Sequence, residues 1–272
     1  MDAPPPMATK PRRSFIDGRF GQMHVRAVTP SRPEYAPLYC IHQSPSSSLV
    51  YQPILQSLGV DRIAAAGDTP GFGESDPPAD VPEVEDYALA HGEAIDQLGL
   101  PGPIDLMGYY TGAKIAVELA LQRPRMFRRI VLFGAVIYTD EELAGEKHLY
   151  RQDKYQWDAS HLLGWWKHLK AGVVEGYPID LFVRHFAEIQ RGGPNSWWGH
   201  RAAFNYDLRE KLPQLDQRVL VIRTDDPQGD KSTRALEYLT NGELAHLPFV
   251  GQGILDIHTA EVCAALRRFL DS

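Results

Sequence analysis

Cysteine is scarce, with only Cys40 and Cys263 in 272 residues, which excludes a small secreted scaffold stapled by disulfides. Both sit among apolar neighbours on an expected strand and an expected helix, as buried free thiols of a reducing, cytoplasmic compartment would. No apolar run reaches the roughly 18 residues that a helix needs to cross a bilayer, so no membrane span is expected. A basic excess is also missing: 28 Lys and Arg stand against 35 Asp and Glu, and the net charge of −7 argues against nucleic acid or anionic lipid as a partner. His161, His168, His185 and His200 lack metal-ligand spacing, so no metal is expected. Gly71 and Gly73 lack the third glycine and the following helix of a dinucleotide loop, so no cofactor is expected either. Residues 1–13 are rich in proline and carry no apolar signal segment, and they read as a disordered arm.

What is present is an ordinary globular composition, 43% apolar and 23% charged, on a chain long enough for one α/β core with an insertion. Its organising stretch is Ile104-Asp-Leu-Met-Gly-Tyr-Tyr-Thr-Gly112. An apolar strand runs into a tight turn and out into a helix with apolar positions at 115, 116, 119 and 120. A glycine two places before and another two places after the central residue let strand and helix approach, so the central side chain projects from the sheet. That geometry serves a Ser, Cys or Asp nucleophile; here the residue is Tyr110. A phenol holds its oxygen further from the backbone and has an ordinary pKa of about 10, so it suits hydrogen-bond donation better than acyl acceptance.

Strands are expected over 14–22, 23–29 and 37–42, then a helix over 49–58, a strand over 62–67 and a helix over 84–98. The elbow and a strand over 129–134 follow. The alternation implies a mostly parallel sheet covered on both faces. Residues 137–215 break the rhythm, carry Trp157, Trp165, Trp166, Trp197 and Trp198, and read as a helical lid inserted into a core of 14–136 and 216–272. A strand over 218–223, a helix near 233–239, a strand around 244–250 and a helix over 259–270 close the chain.

Several marks in the right order resemble the α/β-hydrolase superfamily over nearly the whole chain. His42-Gln-Ser-Pro45 resembles the His-Gly-x-Pro oxyanion loop of the epoxide hydrolase, haloalkane dehalogenase and C–C hydrolase branch, with Gln43 in place of glycine. Asp68-Thr-Pro-Gly-Phe-Gly-Glu-Ser75 resembles that family's Asp-x-x-Gly-x-Gly-x-Ser turn, and Asp68 is expected to brace it. The resemblance implies an α/β fold with an eight-stranded, mostly parallel sheet, helices on both faces and a helical lid. It also implies an oxyanion hole made by the backbone N–H groups of Ser44 and Thr111. The acid follows the strand over 218–223, with Asp226 preferred to Asp225. The family's histidine falls near Gln252 or Ile254, while His258 either reaches the site as the base or merely flanks an N-cap at Thr259. His42, Gln43, Tyr109, Trp165 and Trp166 are the expected pocket lining.

Two readings follow. In one, Tyr110, His258 and Asp226 act on a small, partly apolar carbonyl compound without an acyl-enzyme, by ester, lactone or C–C hydrolysis or by lyase-type proton transfer. In the other, Tyr110 is a retired nucleophile and the fold is a relic that binds a ligand. The partner is a small molecule in both, and a homodimer is left open.

Overall fold

The structure, a computed structural model, describes residues 10–147, 155–174, 176–249 and 253–272. A hairpin opens the chain: β1 (Arg12–Gly18) and β2 (Gly21–Val28) pair antiparallel. β1 thus takes in Arg12 and Arg13, which the sequence assigns to a disordered arm, because their backbone pairs with Ala27 and Arg26. β3 (Leu38–Ile41) leads through a 3-10 turn, capped by the Ser47 hydroxyl on Leu49 N–H, into α1 (Gln52–Leu58) and β4 (Ala64–Gly67). Then come α2 (Val84–Leu98), β5 (Ile104–Tyr109), α3 (Thr111–Gln122) and β6 (Phe127–Phe133).

Between β6 and β7 lie α4 (Asp140–Lys147), α5 (Ser160–Ala171), α6 (Ile179–Gln190), α7 (Trp198–Asn205) and the short α8 (Leu208–Lys211). β7 (Arg218–Thr224) returns the chain to the sheet. The helix expected near 233–239 is instead α9 (Gly229–Thr233) followed by a 3-10 turn, and β8 (Gly242–Leu247), α10 (Ile254–Ile257) and α11 (Thr259–Leu270) complete the core.

The eight strands form one sheet in the order β1-β2-β4-β3-β5-β6-β7-β8, parallel from β4 to β8. Period-two alternation decides which helices cover which face. Tyr39, Ile41, Leu106, Ile130, Leu132, Val219 and Val221 face a core completed by α2, α3 and α8. Leu38, Cys40, Met107, Val131, Phe133, Leu220 and Ile222 face the opposite core, filled by α1 and α11. Both cysteines are free and buried in that second core, as their apolar neighbours imply. No helix among the described residues is long and apolar enough to cross a membrane.

The sheet and α3 meet at glycines. A Cβ on Gly112 would lie 2.1 Å from the Ile41 carbonyl oxygen and 2.7 Å from that of His42. One on Gly108 would lie 2.2 Å from the Gly112 oxygen. These obstacles are backbone, which cannot rotate aside. Gly112→Ala is therefore expected to destabilise the fold by about 3 kcal/mol or more. Gly145→Ala, on exposed α4 with open space around it, is expected to be neutral or stabilising by up to about 1 kcal/mol. Denaturant unfolding of the two variants measures both.

Candidate active site

Tyr110 joins β5 to α3 at φ 48° and ψ −105°, a conformation in which a bulky non-glycine residue is a true outlier. Its backbone is tied down on both sides: its N–H donates to Phe133 O at 2.8 Å, and Ala113 N–H donates to its carbonyl at 2.9 Å. The ring lies over Gly134, whose hypothetical Cβ would sit 2.8 Å from Tyr110 Cδ1. Tyr109 packs beside it, with ring centres 4.9 Å apart, and against Phe133 at 4.6 Å.

The phenol of Tyr110 donates to Asp226 Oδ2 at 3.2 Å. Asp226 sits in the turn after β7, where Thr224 Oγ1 donates to Oδ2 at 2.5 Å and Gln228 N–H donates to Oδ1 at 2.8 Å. Asp225 points elsewhere, to Arg223 at 3.0 Å and His246 at 2.7 Å. Of the two candidate acids, the structure brings Asp226 to Tyr110.

A cavity of about 280 Å³ opens over this elbow. Gln43, Ser44, Tyr109, Tyr110 and Thr111 line it as the sequence leads one to expect. Neither the Ser44 nor the Thr111 backbone N–H has a protein acceptor among the described residues. His42 stands behind this wall, fully buried; its Nδ1–H donates to Gln43 O at 2.8 Å and its Nε2 accepts from Thr69 N–H at 2.9 Å. Burial lowers its pKa, and the two bonds fix a neutral tautomer that braces the Gln43-Ser44 loop.

Four expected site residues, His42, Trp165, Trp166 and His258, do not reach the cavity, and His42 is kept behind the wall by its bonds to Gln43 and Thr69. Trp166 packs on Phe182 and Phe186 and Trp165 edges onto His168, and neither lines the cavity, because the apolar face of α5 turns toward α6. His258 stacks on Phe249 with ring centres 3.6 Å apart and lies 3.6 Å from Glu261, with no hydrogen bond to Asp226 or Tyr110. It is itself the N-cap residue of α11, and Thr259 is the first residue of that helix, with its hydroxyl on Leu255 O and Asp256 O. Gln252 lies outside the described residues, and Ile254 is a buried core residue on α10. Among the described residues no three His, Cys, Asp or Glu converge as a metal site.

Sequence reasoning missed the far wall. α7 supplies His200, Ala203 and Phe204, and α3 supplies Lys114, one turn beyond Tyr110. A lysine inside an otherwise apolar helix stripe was the available signal. Burial dominates the ionisation of the whole wall: it raises the Tyr110 phenol well above 10, with Tyr109 and Asp226 adding to the shift, lowers His200 to about 4 and lowers Lys114 to about 8.

Behind His42, the chain of bonds continues from the Thr69 hydroxyl to His91 Nε2 at 3.1 Å and from His91 Nδ1 to Tyr39 Oη at 3.0 Å. Burial holds His91 near 3, against 6.5 for a free histidine.

Two outcomes follow from these shifts. A difference titration of tyrosinate absorbance, wild type against Tyr110→Phe, is expected to show no phenolate from position 110 up to pH 10. For His91 the unfolded chain takes up a proton below 6.5 while the folded chain stays neutral until about 3. Its stabilising contribution is therefore complete above 6.5 and is lost as pH falls, by about 2 kcal/mol at pH 5. Denaturant midpoints at pH 7 and pH 5 should converge for His91→Gln by that amount relative to wild type.

Comparison with known proteins places this geometry. The chain superposes on an esterase from Exiguobacterium antarcticum with a TM-score of 0.77 and 18% identity, covering 95% of this chain and 99% of that one. An enol-lactonase from Burkholderia xenovorans gives 0.78 and 14%, over 95% and 100%. A bromoperoxidase from Bacillus anthracis gives 0.77 and 15%, over 96% and 100%. At these identities the likeness shows the fold. No curated protein sequence matches the chain. The family model described as alpha/beta hydrolase fold matches residues 36–173, half of the chain, and the protein belongs to the alpha/beta hydrolase fold family.

Proposed function

We propose that the protein is an enzyme acting on a small, partly apolar carbonyl compound, an ester or lactone before others, with Tyr110 as a proton donor and not as a nucleophile. The observation that carries this reading is the Tyr110–Asp226 pair at the elbow. Holding a tyrosine at φ 48° and ψ −105° costs about 1–3 kcal/mol, and the strained residue places its phenol on a carboxylate at the wall of a cavity. A phenol whose pKa is pushed upward stays protonated; its single hydrogen turns from Asp226 to a substrate oxygen when the ligand binds, and no acyl intermediate forms.

Further support comes from the cavity wall. The Ser44 and Thr111 amides lack acceptors among the described residues, as donors for a developing oxyanion would. Gln43 Oε1 and Gln228 Oε1 are buried beside the cavity without partners among the described residues, and leaving such a group unpaired costs about 1–3 kcal/mol. A polar ligand removes that cost. In this reading the segment over 137–215 serves as a lid, since α7 supplies one wall of the cavity.

A second reading, a ligand-binding relic, is favoured by one specific observation. Tyr110, Thr224 and the Gln228 amide donate to Asp226, and no histidine among the described residues does.

A panel of aryl esters, lactones and β-diketones, assayed with wild type, Tyr110→Phe, Asp226→Asn and His258→Ala, separates the two. The enzyme reading expects turnover that falls about 100-fold or more in Tyr110→Phe and stays within about threefold in His258→Ala. Intact-mass spectra during ester turnover are expected to contain no acylated protein. Binding without turnover of any panel member would favour the relic, and an acylated Tyr110 would overturn the donor role.

A further inference from the structure

The cavity holds a buried cation that the reading above does not use. Lys114 is 9% exposed and lies between two cavities, the one over Tyr110 and a second of about 350 Å³ beneath α4, α7 and α8. Its Nζ donates to the Ala203 carbonyl at 2.5 Å and to the Tyr206 carbonyl at 3.2 Å, where α7 ends. It forms no ion pair with a described carboxylate. Asp207 acts on it only through space, and Lys147 repels it. Burial lowers its pKa to about 8, which still leaves the ammonium mostly charged at neutral pH.

An ammonium carries three donors, and two are used. Two carbonyl dipoles at a helix end compensate part of a full charge; a buried cation without a counter-ion is otherwise costly. Acidic neighbours are used up elsewhere. Glu118, one turn further along α3, is held by Tyr206 Oη at 2.8 Å and Lys211 at 3.2 Å, and Asp207 is engaged by Arg209. Among the described residues no carboxylate thus meets the Lys114 charge, which lies among Val136, Tyr138 and Phe204, residues that line both cavities.

We propose that Lys114 is a specificity-determining residue that binds the carboxylate of an anionic ligand in the cavity over Tyr110, so that the ligand class is small, partly apolar carboxylic acids. This rests on the assignment of that cavity as the ligand site, and it holds whether or not the ligand is turned over. A charge-assisted bond from a desolvated ammonium to a carboxylate is stronger than one between neutral groups, so a neutral isostere is discriminated against.

The test uses benzoate and benzamide, of nearly equal shape and different charge, titrated calorimetrically into the full chain at pH 7. Benzoate is expected to bind wild type about tenfold or more tighter than benzamide. Lys114→Met is expected to erase that preference by weakening benzoate about tenfold while benzamide changes less than about threefold. Lys114→Arg, which keeps the charge, is expected to retain a preference for benzoate. Circular dichroism and melting of each variant show whether α7 keeps its cap. Should Lys114→Met fail to fold, the wild-type benzoate-to-benzamide ratio still decides: equal binding, or tighter benzamide, overturns the proposal. Benzoate preference that survives Lys114→Met overturns it as well. Absence of binding by both probes overturns it. If one of these results overturns the carboxylate site, turnover of neutral aryl esters by wild type that is lost in Tyr110→Phe still leaves the proposed enzyme standing.

Discussion

The contact on which the site depends is backbone against backbone, where Gly112 of α3 closes on the carbonyls of Ile41 and His42 and Gly108 closes on Gly112 and Ala113. With helix and strand this close, the residue between them has one conformation open to it, and Tyr110 takes the left-handed one. Its N–H is spent on Phe133 of β6, so the neighbouring strand fixes the turn from the other side. Parallel strands β3, β5 and β6 therefore act as a jig. Their register sets the elbow, and the elbow sets where the phenol oxygen lies.

A phenol at the elbow decides what its neighbours do. Asp226 lies in the turn after β7, where the resemblance places the residue that steadies a histidine. Here it receives the phenol directly, together with the Thr224 hydroxyl and the Gln228 amide. Three donors hold the carboxylate in one position. Burial and the adjacent negative charge both oppose ionisation of the phenol. The pair thus consists of an acid that keeps its proton and a carboxylate that holds it in place.

Much of this was legible in the sequence because it depends on local rules. The Gly-x-Tyr-x-Gly spacing announced the turn, continuous apolar runs such as Val219 to Ile222 announced strands buried on both faces, and the limits of α2 and α11 fell where the amphipathic patterns began and ended. Asp225 and Asp226 could not be separated by spacing, since adjacent residues on a turn point to different sides. Only the partners Arg223 and His246 show which one was drawn away. His258 failed as a site residue in space for a similar reason. It lies several residues past the position near Gln252 or Ile254 that the resemblance implies, and an aromatic neighbour, Phe249, holds its ring. Trp166 follows the same logic, since Phe182 and Phe186 hold its ring, and Trp165 edges onto His168 of its own helix.

The far wall of the cavity was least legible because long-range packing builds it. Lys114 sits on a helix whose neighbours Ala113, Ile115, Ala116 and Val117 are all core, and nothing local says that a lysine there escapes the core. It does so because α7 stops above it and presents the Ala203 and Tyr206 carbonyls, which a helix end leaves unsatisfied. The charge caps the helix, and the helix in turn makes the charge tolerable. His200 and Phe204, carried on that same helix, then close over Tyr110. The elbow and the inserted helices are thus joined through one buried amine, so any shift of α7 changes both the shape of the cavity and the charge inside it.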